Sequence, residues 1–148
     1  ITNNFDYKGS LSLLNGDDLT NNTPLIHMPS ANFSNTITYT NNDFHQLKIG
    51  VTQRTTLQQN RFPNFNFTTF NPVTQQQVFV DISSTPPSYT LFGFKSSAVF
   101  YPFKKGSMEV GFNIDNLFNV SYRENLNRLR YFADDLGRNY NLKIKLNY

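Results

Sequence analysis

The sequence predicts an all-β protein, an antiparallel up-and-down sheet that forms a portion of a transmembrane β-barrel. Three observations predict it: apolar and polar residues alternate along several segments, the composition favours strands, and the connections are alternately short and long. There are 15 Phe, 21 Asn and 14 Thr but only 3 Ala among 148 residues. Because aromatic and β-branched side chains suit a pleated surface and Asn competes with helical hydrogen bonds, a helical bundle is excluded.

The first three predicted strands lie in the N-terminal third of the chain. Each alternates apolar with polar or small residues, so each has one apolar face. Their apolar positions are Phe5, Tyr7, Leu11 and Leu13 in a strand from Phe5 to about Leu14, then Phe33, Ile37 and Tyr39, then Leu47, Ile49 and Val51.

Three further strands are predicted in the C-terminal part, the last two of them paired antiparallel. Six strands are too few to close a barrel, since about eight are needed for an interior that side chains fill. We therefore expect an open, curved sheet with two unpaired edges. The apolar positions are Phe92, Phe94, Ala98 and Phe100 between residues 89 and 103, then Met108, Val110, Phe112 and Ile114, then Tyr140, Leu142, Ile144, Leu146 and Tyr148.

The connections between these strands differ in length in a regular way. Residues 41–43 and 104–107 form short turns, whereas residues 16–31, 60–87 and 126–136 form long loops. Short turns at one end and long loops at the other are typical of a transmembrane barrel. The polar faces suit either bulk water or a wet lumen, so alternation alone leaves both open.

Aromatic residues gather at both ends of the predicted strands, as in the two girdles that mark the interfaces of a membrane. The group beside the short turns is Phe5, Tyr7, Tyr39, Phe44, Phe100, Tyr101, Phe103 and Tyr148, and the group beside the long loops is Phe33, Tyr89, Phe92, Phe118, Tyr122 and Tyr140. We therefore predict that one face meets lipid, namely Ile49, Val51, Phe112, Ile114, Leu142, Ile144 and Leu146. The lumen face would carry Lys48, Arg54, Glu109, Asp115, Lys143 and Lys145.

The sequence carries no signature of an enzyme. It has no Gly-x-Ser-x-Gly, no His-Glu-x-x-His, no phosphate-binding loop and no Cys. No cofactor or metal site is predicted either: His27 and His45 are 18 positions apart, and the acidic pairs at 17–18 and 134–135 lack the ligand pattern of an EF-hand. The net charge of +3 is too small to predict a nucleic-acid partner.

The densest charge cluster is a candidate binding region near the C-terminus. It includes Arg123, Arg128, Arg130 and Tyr131. Guanidinium groups grip carboxylate and phosphate, so the cluster is suited to an anionic ligand such as an iron chelate. The alternative is that these residues pair with neighbouring carboxylates and order the last long loop.

A second candidate region is the aromatic segment at residues 62–70, which contains Phe62, Phe65 and Phe67. These rings either line a ligand mouth or contact a partner lipoprotein, since sheltered aromatic groups are typical of binding surfaces. The alternative is that they pack against neighbouring loops.

The C-terminal segment carries a recognisable series of motifs. It reads Asn116-Leu117-Phe118-Asn119, then Tyr122-Arg123, Leu126-Asn127-Arg128 and Gly137-Arg138-Asn139, and it ends in an alternating strand at Tyr148. This series resembles the C-terminal end of TonB-dependent outer-membrane receptors, with the family's NLF(N/D)xxY penultimate strand and terminal aromatic strand. Residues 24–29 also resemble the family's Pro-containing segment before a strand. The resemblance covers residues 20–148 and is strongest from Met108 onward.

The resemblance implies a barrel of 22 strands plugged by an N-terminal domain. Residues 1–148 would be its last six strands, the C-terminal part of one barrel domain without the plug. The implied location is the outer membrane of a Gram-negative bacterium, and the implied function is active import of a scarce nutrient. A ferric chelate is the first choice, before haem, a vitamin or an oligosaccharide. The implied partners are outer-membrane lipid, a small-molecule ligand, TonB through the missing N-terminal region and a surface lipoprotein.

The terminal strand is also a candidate assembly signal. An extended edge with an alternating apolar face, formed by Tyr140, Leu142, Ile144, Leu146 and Tyr148, suits pairing with the barrel-assembly machinery. The alternative is that Tyr148 only anchors the strand at the membrane interface.

Two other functions stay open at this point. One is a soluble or surface-attached β-sandwich binding module, which would bury its apolar faces against each other. The other is a passive outer-membrane porin.

Overall fold

The computed structural model describes residues 4–148, apart from the side chain of Phe103, and consists of strands and loops. No helix in this part of the chain is long and apolar enough to cross a membrane. The strands are β1 Phe5–Ser12, β2 Asp17–Asp18, β3 Thr23–Pro24, β4 Asn32–Asn41, β5 Leu47–Thr56, β6 Phe67–Asn71, β7 Gln76–Val80, β8 Tyr89–Phe103, β9 Gly106–Asp115 and β10 Asn139–Asn147.

Six of the strands form one antiparallel sheet in the order β1-β4-β5-β8-β9-β10. Every pairing within it is antiparallel. β1 and β10 lie at the two ends of this order, and within residues 4–148 neither has a second partner strand. The predicted all-β, open sheet of six strands is therefore confirmed, although β1 ends at Ser12 rather than near Leu14.

The register places the apolar residues of all six strands on one face of the sheet. Leu142 lies opposite Phe112, which lies opposite Ser96, and Ser96 lies opposite Ile49. Tyr39 continues this row on β4. The predicted division between the faces is confirmed: one face carries Ile49, Val51, Phe112, Ile114, Leu142, Ile144 and Leu146, and the other carries Lys48, Arg54, Glu109, Asp115, Lys143 and Lys145.

The polar face is the hollow side of the sheet. Cavities of ≈ 450 and ≈ 240 Å³ open on it, the first beside Arg54 and Asp115 and the second beside Lys48 and Lys143. Gly50 makes room here, because a Cβ at this position would lie 2.5 Å from Lys95 Cε. The Lys95 side chain therefore lies flat across the backbone of β5 instead of standing away from the sheet.

The apolar face is uncovered along the described chain. Leu142 is 70% exposed, and Ile37, Val51, Ile144 and Leu146 are exposed as well. A β-sandwich would bury this face against a second sheet, so the structure does not support that alternative. Burial is instead concentrated at the long-loop end of the polar face, where Tyr89 and Thr56 are covered.

The three long loops contain structure that the sequence did not predict. We refer to residues 13–31, 57–88 and 116–138 as the first, second and third long loops. β2 and β3 form a small antiparallel pair in the first, and β6 and β7 form a hairpin in the second. The hairpin turn is closed by Asn71, whose Oδ1 accepts hydrogen bonds from the backbone N–H of Val73 (2.9 Å) and Thr74 (3.3 Å).

Two predicted girdle residues are placed differently by the structure. Tyr89 and Tyr122 were expected among outward-facing aromatics, but their rings meet each other with centroids 4.7 Å apart on the polar side of the sheet. The reason is strand parity: Tyr89 shares its face with Leu91 and Gly93, whereas Phe92 and Phe94 point to the apolar face. The side chain of Phe103, another predicted girdle member, lies outside the described residues.

Candidate functional site

The third long loop folds back over the long-loop end of the polar face. Glu124 Oε1 lies 3.2 Å from Arg54 Nη2 on β5, and the Tyr122 ring packs on Tyr89 of β8. The ion pair is partly exposed and contributes only about 0–1 kcal/mol. The loop is also attached to β8 by the aromatic contact with the buried Tyr89 and by a hydrogen bond from the Leu117 N–H to the Phe92 carbonyl (2.7 Å).

The loop begins with a turn built by two asparagines. Asn116 (φ 50°) and Asn119 (φ 54°) both adopt the left-handed conformation, which Asn tolerates better than most residues. Asn116 is only 5% exposed, and its amide both accepts from the N–H and donates to the C=O of Val120, each at 2.8 Å. Asn119 Oδ1 accepts the N–H of Arg138 at 2.8 Å. The Asn-Leu-Phe-Asn motif therefore follows β9 as a turn, which corrects its assignment to the strand itself.

Arg123 is neutralised within the loop. Its Nε donates to Asp134 Oδ1 at 2.6 Å, and its Nη1 donates to the backbone carbonyl of Arg130 at 2.8 Å. The hydrogen bond from the Ser121 hydroxyl, together with Arg123, holds the pKa of Asp134 below its ordinary value. These contacts match the loop-ordering alternative for Arg123.

Asn125 joins the third long loop to the first, a role that no motif or periodic pattern of the sequence predicts. It is 6% exposed, and its Nδ2 donates to the backbone carbonyl of Met28 at 2.9 Å. Its backbone carbonyl and its Oδ1, the latter at 2.6 Å, both accept hydrogen bonds from Arg130 Nη1. A single buried side chain therefore brings His27, the neighbour of Met28, toward Arg130.

Tyr131 joins the third long loop to the second. Its hydroxyl donates to the backbone carbonyl of Ile82 and accepts from Arg130 Nη2, and the Arg130 guanidinium carbon lies 4.8 Å from the centre of the Tyr131 ring. Arg128 is exposed and forms no ion pair among the described residues. The predicted cluster is thus assembled in one place but divided: Arg123 is paired with a carboxylate, and Arg128 and Arg130 are not.

The aromatic segment of the second long loop has a fixed backbone and exposed rings. Asn66 Oδ1 accepts the N–H groups of Ile82 and Ser83 at 2.9 Å each, and Ser83 Oγ accepts the N–H of Phe65 at 2.7 Å. No charged residue occurs between positions 62 and 80. The three predicted ligand-mouth residues, Phe62, Phe65 and Phe67, are all exposed.

The terminal strand β10 forms an edge of the sheet. Tyr140 stacks on Phe112 of β9 with ring centroids 6.4 Å apart, and Leu142, Ile144 and Leu146 continue the same exposed face. Tyr148 follows the last residue of β10 and is fully exposed. This is the geometry that an assembly signal requires, and the role of the strand stays a prediction.

Neither histidine has metal-ligand neighbours in the described structure. His45 packs between Phe44 and Phe100, with ring centroids 5.1 and 4.9 Å away. Residues 4–148 contain no group of three or more His, Cys, Asp and Glu side chains that are close enough to hold a metal ion.

The fold is similar to part of a known transporter. The solved structure of the copper transporter OprC superposes with a TM-score of 0.76 over 97% of this chain, at 20% sequence identity. This chain spans 20% of the length of that protein. No family profile and no curated protein matches the sequence. The six-stranded sheet therefore has the fold of a portion of an outer-membrane transporter barrel.

Proposed function

We propose that this chain is the C-terminal barrel portion of a TonB-dependent outer-membrane receptor that imports a scarce nutrient. The observation that carries the proposal is the division of the sheet into an apolar face, which runs across all six strands and is exposed or half-buried, and a polar face on which cavities open. In water this apolar face would promote aggregation, whereas a transmembrane barrel needs such a face against lipid. OprC, an outer-membrane transporter of Gram-negative bacteria, supports the same location.

The proposed substrate is a small molecule that enters at the long-loop end. A ferric chelate is our first candidate, followed by haem, a vitamin or an oligosaccharide. Copper is a further candidate, because the similar structure OprC is named a copper transporter. Arg123, Arg128, Arg130, Tyr131, Phe62, Phe65 and Phe67 are the proposed residues for binding the ligand or ordering the loops around it. The proposed protein partners are TonB, the barrel-assembly machinery and a surface lipoprotein.

Cell fractionation and an uptake assay test this proposal. The intact receptor is expected in the outer membrane and should be extracted only by detergent. Uptake of the nutrient through the receptor should be abolished in a strain that lacks TonB. Uptake that persists without TonB would instead identify the passive porin. Recovery of the protein from the soluble fraction would contradict both membrane functions.

A further inference from the structure

A cavity of ≈ 570 Å³ opens between the first and third long loops. Its wall contains His27 from the first loop and Asn127, Arg128, Arg130 and Tyr131 from the third. No carboxylate of the described residues lines it. Two guanidinium groups and an imidazole therefore share a cavity whose wall has no balancing negative charge.

The two arginines of this cavity differ from the three that form ion pairs in the described chain. Arg54, Arg61 and Arg123 are each paired with a carboxylate, at 3.2, 2.6 and 2.6 Å. Arg128 and Arg130 form no ion pair in residues 4–148, and both line this cavity. Arg138, the third arginine of this loop without an ion pair in the described residues, lies outside the cavity, so two of these three arginines share it.

Arg130 is held in a fixed orientation by uncharged acceptors. Nη1 donates to both oxygens of Asn125, and Nη2 donates to the Tyr131 hydroxyl. A guanidinium has five N–H donors, so one on Nε and one on Nη2 are left without an acceptor among the described residues. Two N–H groups are what a carboxylate or phosphate needs for a bidentate contact.

The opposite wall is positioned by the same buried residue. Asn125 holds the Met28 carbonyl, and His27, adjacent to it, adopts a left-handed backbone (φ 56°) that directs the chain into the cavity wall. The imidazole is a hydrogen-bond donor in either charge state. The Arg130 guanidinium and the backbone beside His27 are therefore placed before any ligand arrives, which reduces the entropy lost on binding.

Two carboxylates of the long loops accept hydrogen bonds from uncharged groups. Asp135 accepts hydrogen bonds from the Glu124 N–H (2.6 Å) and from Asn127 Nδ2 (2.7 Å), and Asp81 accepts the N–H groups of Ser83 and Ser84. None of these donors is charged, and neither carboxylate forms an ion pair with Arg128 or Arg130. Neither acid lines this cavity, although Asp81 and Arg130 both line a neighbouring cavity of ≈ 320 Å³.

We propose that this cavity binds a carboxylate- or phosphate-bearing ligand through Arg128, Arg130 and His27. The inference rests on the proposed function, because it names the chemical class of ligand that the long loops receive. Arg130 would bind the anionic group bidentately, Arg128 would supply a second charge and His27 a hydrogen bond. Arg123 takes no part in it, since Asp134 already neutralises its charge.

The test measures equilibrium binding of radiolabelled citrate and of inorganic phosphate to the intact receptor in detergent, at low salt. Arg128→Gln removes one charge-assisted contact and is expected to weaken citrate binding by about tenfold. Because Arg128 is exposed and forms no ion pair in the described residues, this substitution is expected to leave folding unchanged. Arg130→Lys keeps the charge but removes the bidentate hydrogen-bond donor, so citrate binding is expected to weaken by a similar factor. Arg138→Gln is the matched control, because Arg138 is an exposed arginine of the same loop that lies outside the cavity.

Equal citrate binding by Arg128→Gln and Arg138→Gln would overturn the inference, as would binding of citrate and phosphate no tighter than that of neutral glucose. Phosphate presented on lipid A micelles distinguishes a membrane source from a soluble one: Arg128-dependent binding of either source supports the site, and Arg128-independent binding of both contradicts it. These outcomes do not depend on membrane location. A receptor found in the soluble fraction would refute the proposed function while leaving the anion measurement valid.

Discussion

The apolar and the polar face of the sheet are made by the same six strands, yet they are stabilised in different ways. On the apolar face, Leu142 and Ile144 contact little of the described chain and depend on what surrounds the protein. On the polar face, Tyr89 is buried beneath the third long loop, which Asn116 starts with specific hydrogen bonds to Val120. The stability of the apolar face is therefore expected to depend on the polarity of its side chains, and that of the polar face on particular contacts.

The largest expected effect comes from placing a charge on the apolar face. Ile144→Arg is expected to destabilise the intact receptor by about 2–4 kcal/mol if residue 144 lies near the membrane midplane. Its neighbour Lys143 points to the polar face, and Lys143→Ala should change stability little. The measurement is the urea dependence of folding into lipid vesicles, and equal losses for the two variants would refute the assignment of the faces.

A smaller effect is expected from the turn that starts the third long loop. Asn116→Ala leaves the half-buried N–H and C=O of Val120 without their partner and should cost about 1–3 kcal/mol. Asn119→Ala carries the same left-handed backbone penalty at an exposed position, so it is the matched control and should cost less. Unfolding curves of both variants in detergent give the difference, and a larger loss at Asn119 would contradict it.

The acid response of the loop is expected to be local. Because the folded state lowers the pKa of Asp134 below 3.8, the loop gains stability from this carboxylate at neutral pH and loses it as the pH falls through the lowered pKa. Hydrogen exchange of residues 121–135, followed from about pH 5 to pH 2, should show this loop opening before the sheet. Asp134→Asn removes the titrating group, and an unchanged acid response in that variant would exclude Asp134 as its cause.

The smallest effect on stability is expected at the end of β10. If Tyr148 belongs to an assembly signal, its deletion from the full-length receptor should leave unfolded chains in the periplasm while the refolded protein keeps nearly its original stability. An interface anchor behaves in the opposite way, with lower stability in detergent and normal insertion in cells. That second pattern would remove Tyr148 from the assembly signal.

Alternation along the strands is enough to predict the sheet and its two faces. Alternation with a period of two places Tyr140, Leu142 and Ile144 on one side wherever β10 pairs, because successive side chains of a strand point to opposite faces. The same rule applied at Tyr89 would have placed it on the polar face, so that error came from grouping aromatics by position along the chain rather than by strand parity.

The contacts between loop residues, in contrast, depend on how the whole chain folds. The union of His27 with Arg130 depends on Asn125, a residue with no charge and no periodic pattern, which reaches Met28 from 97 positions away. The separation of Arg123 from Arg128 likewise follows from where Asp134 lies in the folded loop. Strand periodicity is a local property, because it is visible in neighbouring residues. Contacts between loops depend instead on the fold bringing the ends of distant strands together. The spacing of residues in the sequence does not predict how close those strand ends lie in space.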